Sequence, residues 1–349
     1  MDGGGRGSGK AGGFVTSRDV ARRAGVSSSA VSRTFTPGAS VSPGTRKRVL
    51  EAAEALGYRV NRLAQGLISD RSILVGVLMA NMSAPYMARQ LDALSRALLH
   101  EGMHCLLLNA EESEAGGASR LISKILEFRA RAIVVMSGSP SSDIVRECMS
   151  SGVRVILVNK RIDNVKADTI LSDDVAGSRL AVRRLIEAGC RRPVVVASGA
   201  GTLSITRRMQ AAVETFIEAR LRPVVWAQGS TSYESGVLAA RETLADSQVD
   251  GAFCVTDLMA LGYLDAARVQ MGRKVPQNLR LVGFDDIPQA SWQNYDMTTI
   301  RQPVDALVAG ILRAIQRDPS STRPVRVVLP VELVERGTVV SRSYTNLGT

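Results

Sequence analysis

From residue 72 onward the chain alternates two patterns, and that alternation limits its fold more than any other feature. Short runs dominated by Val, Ile and Leu recur at 73–79 (ILVGVLM), 105–110 (CLLLNA), 132–136 (AIVVM), 153–159 (VRVILVN), 193–198 (PVVVAS), 224–227 (VVWA), 252–256 (AFCVT) and 279–284 (LRLVGF). Between them, 87–99, 119–128, 178–188, 206–219 and 235–244 carry apolar residues at helical spacing. Strands without polar alternation are buried on both faces, and helices inserted between them make the sheets parallel. The architecture is doubly wound α/β, and roughly 270 residues suffice for two Rossmann-like lobes.

The segment before this core has a different pattern. Residues 16–67, TSRDVARRAGVSSSAVSRTFTPGASVSPGTRKRVLEAAEALGYRVNRLAQGL, hold three short helical patterns. In the first, 17–24, Val20, Ala21 and Ala24 share one face, with Thr16 or Ser17 as N-cap and Gly25 as the stop. Ser27 caps the second, 28–35, which offers Ala30, Val31 and Phe35 to a core and Ser28, Ser29, Ser32 and Arg33 to the other face. Ser42-Pro43 opens the third with the cap-then-proline signature, Val49, Ala52, Ala53 and Leu56 form its stripe, and Gly57 ends it. Two helices meeting at a Gly-centred turn form a helix-turn-helix, whose second helix enters the major groove of DNA. Charge agrees: residues 14–68 hold nine Lys/Arg against three acids, a net +6 of the chain's formal +11. Such a basic concentration suits phosphate binding.

Other functions find little support. No apolar run approaches the roughly 18 residues a membrane span needs, and the N-terminus lacks a signal-peptide pattern, so a cytoplasmic protein is expected. Cys105, Cys148, Cys190 and Cys254 show no C-x-x-C pairing, which predicts reduced, mostly buried thiols and neither zinc nor disulfides. The Gly-rich residues 1–13 are expected to be a disordered tail. Gly4, Gly9 and Lys10 imitate a phosphate-binding loop there, but Ala11 replaces the magnesium-binding hydroxyl and no strand precedes it. No G-x-G-x-x-G follows the first strand, and His100 and His104 are the only histidines, expected at the surface or a strand edge. Neither catalysis nor a cofactor is expected.

The runs DVARRAGVSSSAVSRTF, VSPGTRKRVLEAAEALGY and NRLAQGL resemble the headpiece of the LacI/GalR family, the lactose- and galactose-repressor-like regulators. The resemblance continues in order through ILVGVLM, APY, LSDDVAGSRLAVRRLIEAGC, VTDLMALGYLDA, LVGFDDIP and MTTIRQP. It implies an N-terminal all-α helix-turn-helix headpiece and an α/β periplasmic-binding-protein-like core of two Rossmann-like doubly wound subdomains. The implied divisions are a tail over 1–13, a DNA-binding domain over 14–60 and a hinge helix with linker over 61–71. The core subdomains are 72–170 with 302–329, and 171–301 with 330–343, crossings falling near Ile170, Arg301 and Leu329.

By the same resemblance Ser28 and Ser29 discriminate operators, while Thr16, Ser27, Ser32, Thr36, Ser42, Thr45 and Asn61 fall at phosphate- or backbone-contacting positions. Arg33 reads guanine or clamps a phosphate. The hinge segment containing Asn61, Ala64 and Leu67 is too short to hold a helix alone, and Leu67 either wedges between base pairs or packs on the core. Val60 replaces the proline common there. For the effector, Arg208 and Asp285 match an Arg and an Asp that hold hydroxyl or carboxylate groups, unless they form an interlobe salt bridge. Tyr86 stacks on a ligand or packs a loop. Asn159 and Thr256 match effector positions where relatives carry Asp and Asn, so no relative's ligand is assumed. Asp174 and Asp257 are expected to cap helices.

These features together describe a sequence-specific transcription regulator, by expectation a repressor, controlled by a sugar or sugar derivative in the interlobe cleft. Its partners are double-stranded DNA with a near-palindromic operator and a second copy of itself, with no membrane. The C-terminus lacks a leucine heptad, which makes a homodimer the default. The alternatives are a ligand-independent regulator, one answering to a protein partner, or a sugar-binding transport protein.

Overall fold

The structure, a computed structural model, describes residues 14–36, 38–60, 72–110, 117–138, 140–318, 321 and 323–340. The Gly-rich tail and the hinge positions Asn61, Ala64 and Leu67 lie outside the described residues. The chain divides into two compact units, Met1–Ser72 and Ile73–Thr349.

The first unit packs three helices: α1 (Ser17–Ala24), α2 (Ser28–Thr34) and α3 (Pro43–Leu56). Thr16 and Asp19 close a reciprocal capping box on α1, the Thr16 hydroxyl donating to Asp19 Oδ2 at 2.7 Å. Gly25 and Gly57 end α1 and α3 at φ 64° and 65°, the left-handed region an L side chain resists. Ser27 caps α2 and Ser42 caps α3, with Pro43 in the first turn. Val20, Ala21, Ala24, Val31, Val49, Ala52 and Ala53 make the core, and Phe35 and Tyr58 rings lie 5.7 Å apart at its edge. Ala30 and Phe35, expected in the core, are only half-buried. Thr34, a polar residue outside the expected apolar stripe, is buried because its hydroxyl donates to Ala30 O at 2.8 Å.

The second unit holds β1 (Leu74–Met79), α4 (Pro85–His100), β2 (His104–Asn109), α5 (Gly117–Glu127), β3 (Ala132–Val135), α6 (Ser142–Ser150), β4 (Arg154–Val158), β5 (Asp168–Ser172) and α7 (Asp174–Glu187). It continues through β6 (Pro193–Ala197), α8 (Leu203–Glu218), β7 (Val224–Ala227), α9 (Tyr233–Thr243), β8 (Gly251–Cys254), α10 (Asp257–Asp265), β9 (Arg280–Asp285) and β10 (Thr299–Arg301). The chain then forms α11 (Val304–Gln316), β11 (Arg326–Leu329) and β12 (Glu332–Val334). Two six-stranded sheets result, ordered β11-β5-β4-β3-β1-β2 and β12-β10-β9-β8-β6-β7. All pairings are parallel except β10 with β12. The chain passes between sheets after Ser172, after Arg301 and after Leu329.

In the first sheet alternate residues serve opposite faces: Val75, Val77 and Met79 join Leu94, Leu98 and Ile311, whereas Leu78, Ile133 and Val135 join Ile122 and Ile125. The central strands β3, β6 and β8 are wholly buried, while the edge strand β7 exposes Val224 and Val225. Cys148, Cys190 and Cys254 are buried, and Cys105 is half-buried. No described helix is long and apolar enough to cross a membrane.

Candidate functional site

Ligands of doubly wound sheets sit beyond the carboxyl ends of the strands, and the second sheet gathers its buried charge there. Arg208, on α8 and 3% exposed, donates from Nε to Asp174 Oδ1 at 2.8 Å. Its Nη1 donates to Val255 O at 2.9 Å and Asp285 Oδ1 at 3.1 Å, and its guanidinium lies 3.7 Å from the Phe284 ring centre. Glycine makes that stack possible: a Cβ at Gly177 of α7 would fall 2.8 Å from the Phe284 ring edge. Gln302, at the return crossing, donates to Asp285 Oδ1 at 2.6 Å. Arg208 Nη2 and Asp285 Oδ2 have no hydrogen-bond partner among the described residues, which leaves a donor pair beside an acceptor.

The backbone aims two consecutive carboxylates apart. Asp285 at φ 131° and Asp286 at φ 53° both occupy conformations that cost a non-glycine residue about 1–3 kcal/mol. Asp285 meets Arg208 and Gln302, while Asp286 accepts from Arg301 Nε at 2.7 Å and Arg336 Nη2 at 2.6 Å. Behind them Asp257, fully buried, accepts from the Ile287 amide at 2.9 Å and from the Thr299 hydroxyl. Gly283 makes room for it, since a Cβ there would collide with Asp257 Oδ1.

Burial, reinforced by the neighbouring Asp285 carboxylate, pushes Asp257 well above the ordinary carboxylate range. Burial also raises Asp285, with Arg208 pulling the other way. Burial alone would lower Arg208, but Asp174 and Asp285 more than offset it. At Asp286 burial is overcome by Arg301 and Arg336, and the group lies below its usual value.

The first sheet contributes α4. Its Tyr86 packs against the cores of both sheets, accepts from Gln90 Nε2 at 2.8 Å, and has its hydroxyl pKa pushed up by burial and then by Asp285. Arg89, one turn on, donates to the Asp286 carbonyl at 3.0 Å, a direct link from one lobe to the other.

The structure therefore brings Tyr86, Arg208 and Asp285 together. Arg208 and Asp285 belong to one lobe, so their ion pair lies within that lobe and is not the interlobe salt bridge that the sequence alone allows. Thr256 lies at the same strand ends, but its hydroxyl caps α10, accepting from the Met259 amide. Asn159, at φ 52°, uses its side-chain carbonyl to accept from the Ser172 amide at 2.8 Å, fastening β4 to β5. The caps expected at Asp174 and Asp257 belong instead to their neighbours Asp173 and Thr256. Each Asp sits one residue inside its helix, where its side chain turns to a buried partner. Asp174, Gln302 and Arg89 were not anticipated as site residues; the D-D pair in LSDDVAG and the Gln of TIRQP were their only sequence signals. Among the described residues no group of three or more His, Cys, Asp or Glu side chains is gathered as a metal requires.

In the first unit, α2 turns Val31 and Thr34 inward and leaves Ser28, Ser29 and Arg33 exposed, with Ser32 half-buried. Arg33 Nε approaches Ser29 O at 3.4 Å, and Ser27 and Ser29 hydroxyls are 2.9 Å apart. Thr36 donates to Ser32 O at 2.9 Å, and Ser42 donates to Thr45 Oγ1 at 2.9 Å. Arg46 Nη1 donates to Thr34 O at 2.9 Å, fixing α3 to the end of α2. Arg18, Arg23, Arg48 and Arg59 of the same unit are also exposed.

Comparison with known proteins agrees with both halves. Residues 16–61 match the family model for bacterial regulatory proteins of the lacI family, and residues 182–339 match a periplasmic binding protein-like domain. The HTH-type transcriptional regulator reg1 of Streptomyces lividans is 30% identical over 93% of this chain and 96% of its own. The crystal structure of the Lac repressor dimer bound to operator and the anti-inducer ONPF superposes with a TM-score of 0.84 at 24% identity, covering 94% of this chain and 100% of that one. A complex of the transcriptional regulator CelR with cellobiose matches with a TM-score of 0.68 at 28% identity, over 93% and 99%.

Proposed function

The chain belongs to the lacI family of bacterial regulatory proteins and is a DNA-binding transcription regulator, not an enzyme, and from that premise we propose that it acts in the cytoplasm as a homodimeric repressor. Residues 14–60 of each copy read half of a near-palindromic operator, and the segment 61–71 contributes Asn61, Ala64 and Leu67 to the contact with the duplex. The core, 72–170 with 302–329 and 171–301 with 330–343, senses a small carbohydrate. The ligand favours one arrangement of the lobes over another, and DNA affinity follows.

One observation carries this reading: α2 exposes Ser28, Ser29 and Arg33 together while Val31 anchors its opposite face. A short hydroxyl row ending in a forked donor fits the major groove, where Arg bonds guanine O6 and N7. The helix-capping residues Thr16, Ser27 and Ser42, with Ser32, Thr36 and Thr45, make the backbone-contacting set. Support for the cleft comes from the Arg208–Asp285 clamp, from Tyr86 packed against the cores of both sheets beside it, and from the cellobiose complex of CelR. Asn159 acts there through the β4–β5 strand ends it fastens, and Thr256 through the start of α10 that it caps.

A gel-shift titration with the DNA upstream of the protein's own locus tests the proposal. Arg33→Ala is expected to lose ~1–3 kcal/mol on that fragment and less on random DNA. Equal losses on both would leave Arg33 a phosphate clamp. Failure of the unaltered protein to distinguish the two fragments at modest ionic strength would overturn the regulator's sequence specificity.

A further inference from the structure

We propose that Asp174 sets the ligand class of the cleft, making it select uncharged polyhydroxyl effectors and refuse phosphorylated or carboxylate ones. The proposal rests on the effector reading above and narrows it.

An arginine greets an anion through an open fork. Here the fork is already closed: Asp174 takes Nε, and Val255 O and Asp285 take Nη1. Two buried carboxylates stand against one guanidinium, and only Nη2 remains. An incoming anion that reached Nη2 would also face Asp285 Oδ2 with little water between them, where like charges repel strongly. Among the described residues, Arg301 and Arg336 at the same strand ends are already ion-paired with Asp286, and Arg89 is bonded to the Asp286 carbonyl.

The second, independent observation is Gln302. It is 1% exposed, its Nε2 donates to Asp285, and its Oε1 has no partner. The amide orientation is fixed by chemistry, because only Nε2 can face a carboxylate that already accepts from Arg208. The site thus offers two acceptors, Asp285 Oδ2 and Gln302 Oε1, beside one donor, Arg208 Nη2. Two neighbouring hydroxyls of a polyol can accept from the one and donate one proton to each of the others, whereas an ionised phosphate or carboxylate oxygen has no proton to donate. Gln302 also stands between β10 and α11, so a hydroxyl bonded to it touches the strand crossing itself.

The test uses the full chain and paired probes: ribose, glucose, galactose and cellobiose against ribose 5-phosphate, glucose 6-phosphate, galacturonate and gluconate. Thermal shift finds binders and calorimetry ranks them. Neutral probes are expected to bind, with the matched anion weaker by about 100-fold or more. Asp174→Asn, which frees Nε from a charge without changing shape, is expected to narrow that ratio by at least about tenfold. Gln302→Met is expected to weaken the neutral ligand by about 10–100-fold. The melting temperature without ligand controls for folding. An anion as the best probe of the unaltered protein overturns the proposal and leaves the effector reading standing, a result that requires no variant. An unmoved ratio in folded Asp174→Asn overturns Asp174's role. Silence from both halves of the panel removes the proposal and the effector reading together, while the gel shift still judges DNA binding.

Discussion

Asp257 shows how one buried group makes stability depend on pH. Its folded pKa lies above the unfolded one because burial, then Asp285, disfavours the charge. Between the ordinary carboxylate range near ~4 and the raised folded value, the native state holds a proton that the unfolded chain has lost, so stability falls as pH rises through that window. Asp285, also raised, acts with the same sign, whereas Asp286, held low by Arg301 and Arg336, acts oppositely at more acid pH. Asp257→Asn keeps an acceptor for the Ile287 amide and lets its amide nitrogen donate to a rotated Thr299 hydroxyl. Urea unfolding at pH 5 and pH 8 is therefore expected to show a smaller loss in the variant than in the unaltered protein. An equal loss would assign the proton elsewhere. At this scale the sequence was legible where chemistry and position coincide, as in Arg208 and Asp285. It misled at Asp174 and Asp257, because a helix cap and the residue after it are one step apart and D-D or T-D supplies a capping oxygen at either place.

Elements were legible in proportion to how one-sided their burial is. The helices α1, α2 and α3 stood out because each buries a narrow stripe and is closed by Ser, Thr, Pro or Gly at its ends. By contrast, α10 buries Met259, Ala260, Leu261, Gly262, Tyr263 and Leu264, so no stripe marks it, and β10 and β12 are only three residues each. What α10 does carry is Gly262, and α9 carries Gly236. A Cβ on Gly236 would run into Met259 O, and one on Gly262 would run into Tyr233 O. The two helices touch backbone to backbone, and neither carbonyl can swing aside as a side-chain end could. Either Gly→Ala change is expected to cost roughly 1–3 kcal/mol or more, measured by chemical denaturation. The double variant should cost less than the two singles combined, because helices parted by the first methyl already have room for the second. Strict additivity would mean that each helix relaxes locally instead.

For the whole molecule the question is whether the cleft and the DNA-binding helices share one equilibrium. The lobes are joined by three strand crossings, by the partly buried Arg89 bond to the Asp286 carbonyl, and by Tyr86 packed against both cores. A single hydrogen bond of this kind is worth about 0.5–1.5 kcal/mol, so the alternative lobe arrangement lies within reach of a ligand's differential affinity. Coupling of about 1–3 kcal/mol changes DNA affinity by roughly 5–150-fold, and linkage makes the exchange reciprocal. Once the cleft's ligand is in hand, its Kd is to be measured with the free protein and with the protein on the upstream DNA fragment, and the DNA Kd with and without ligand. The two ratios should agree when both are measured at the same oligomeric state. Arg89→Ala, which removes one lobe-to-lobe bond and touches neither the exposed row of α2 nor Arg208, is expected to change that common ratio. A ligand bound equally well by free and DNA-bound protein would show that the core does not control the headpiece, however well each half performs alone.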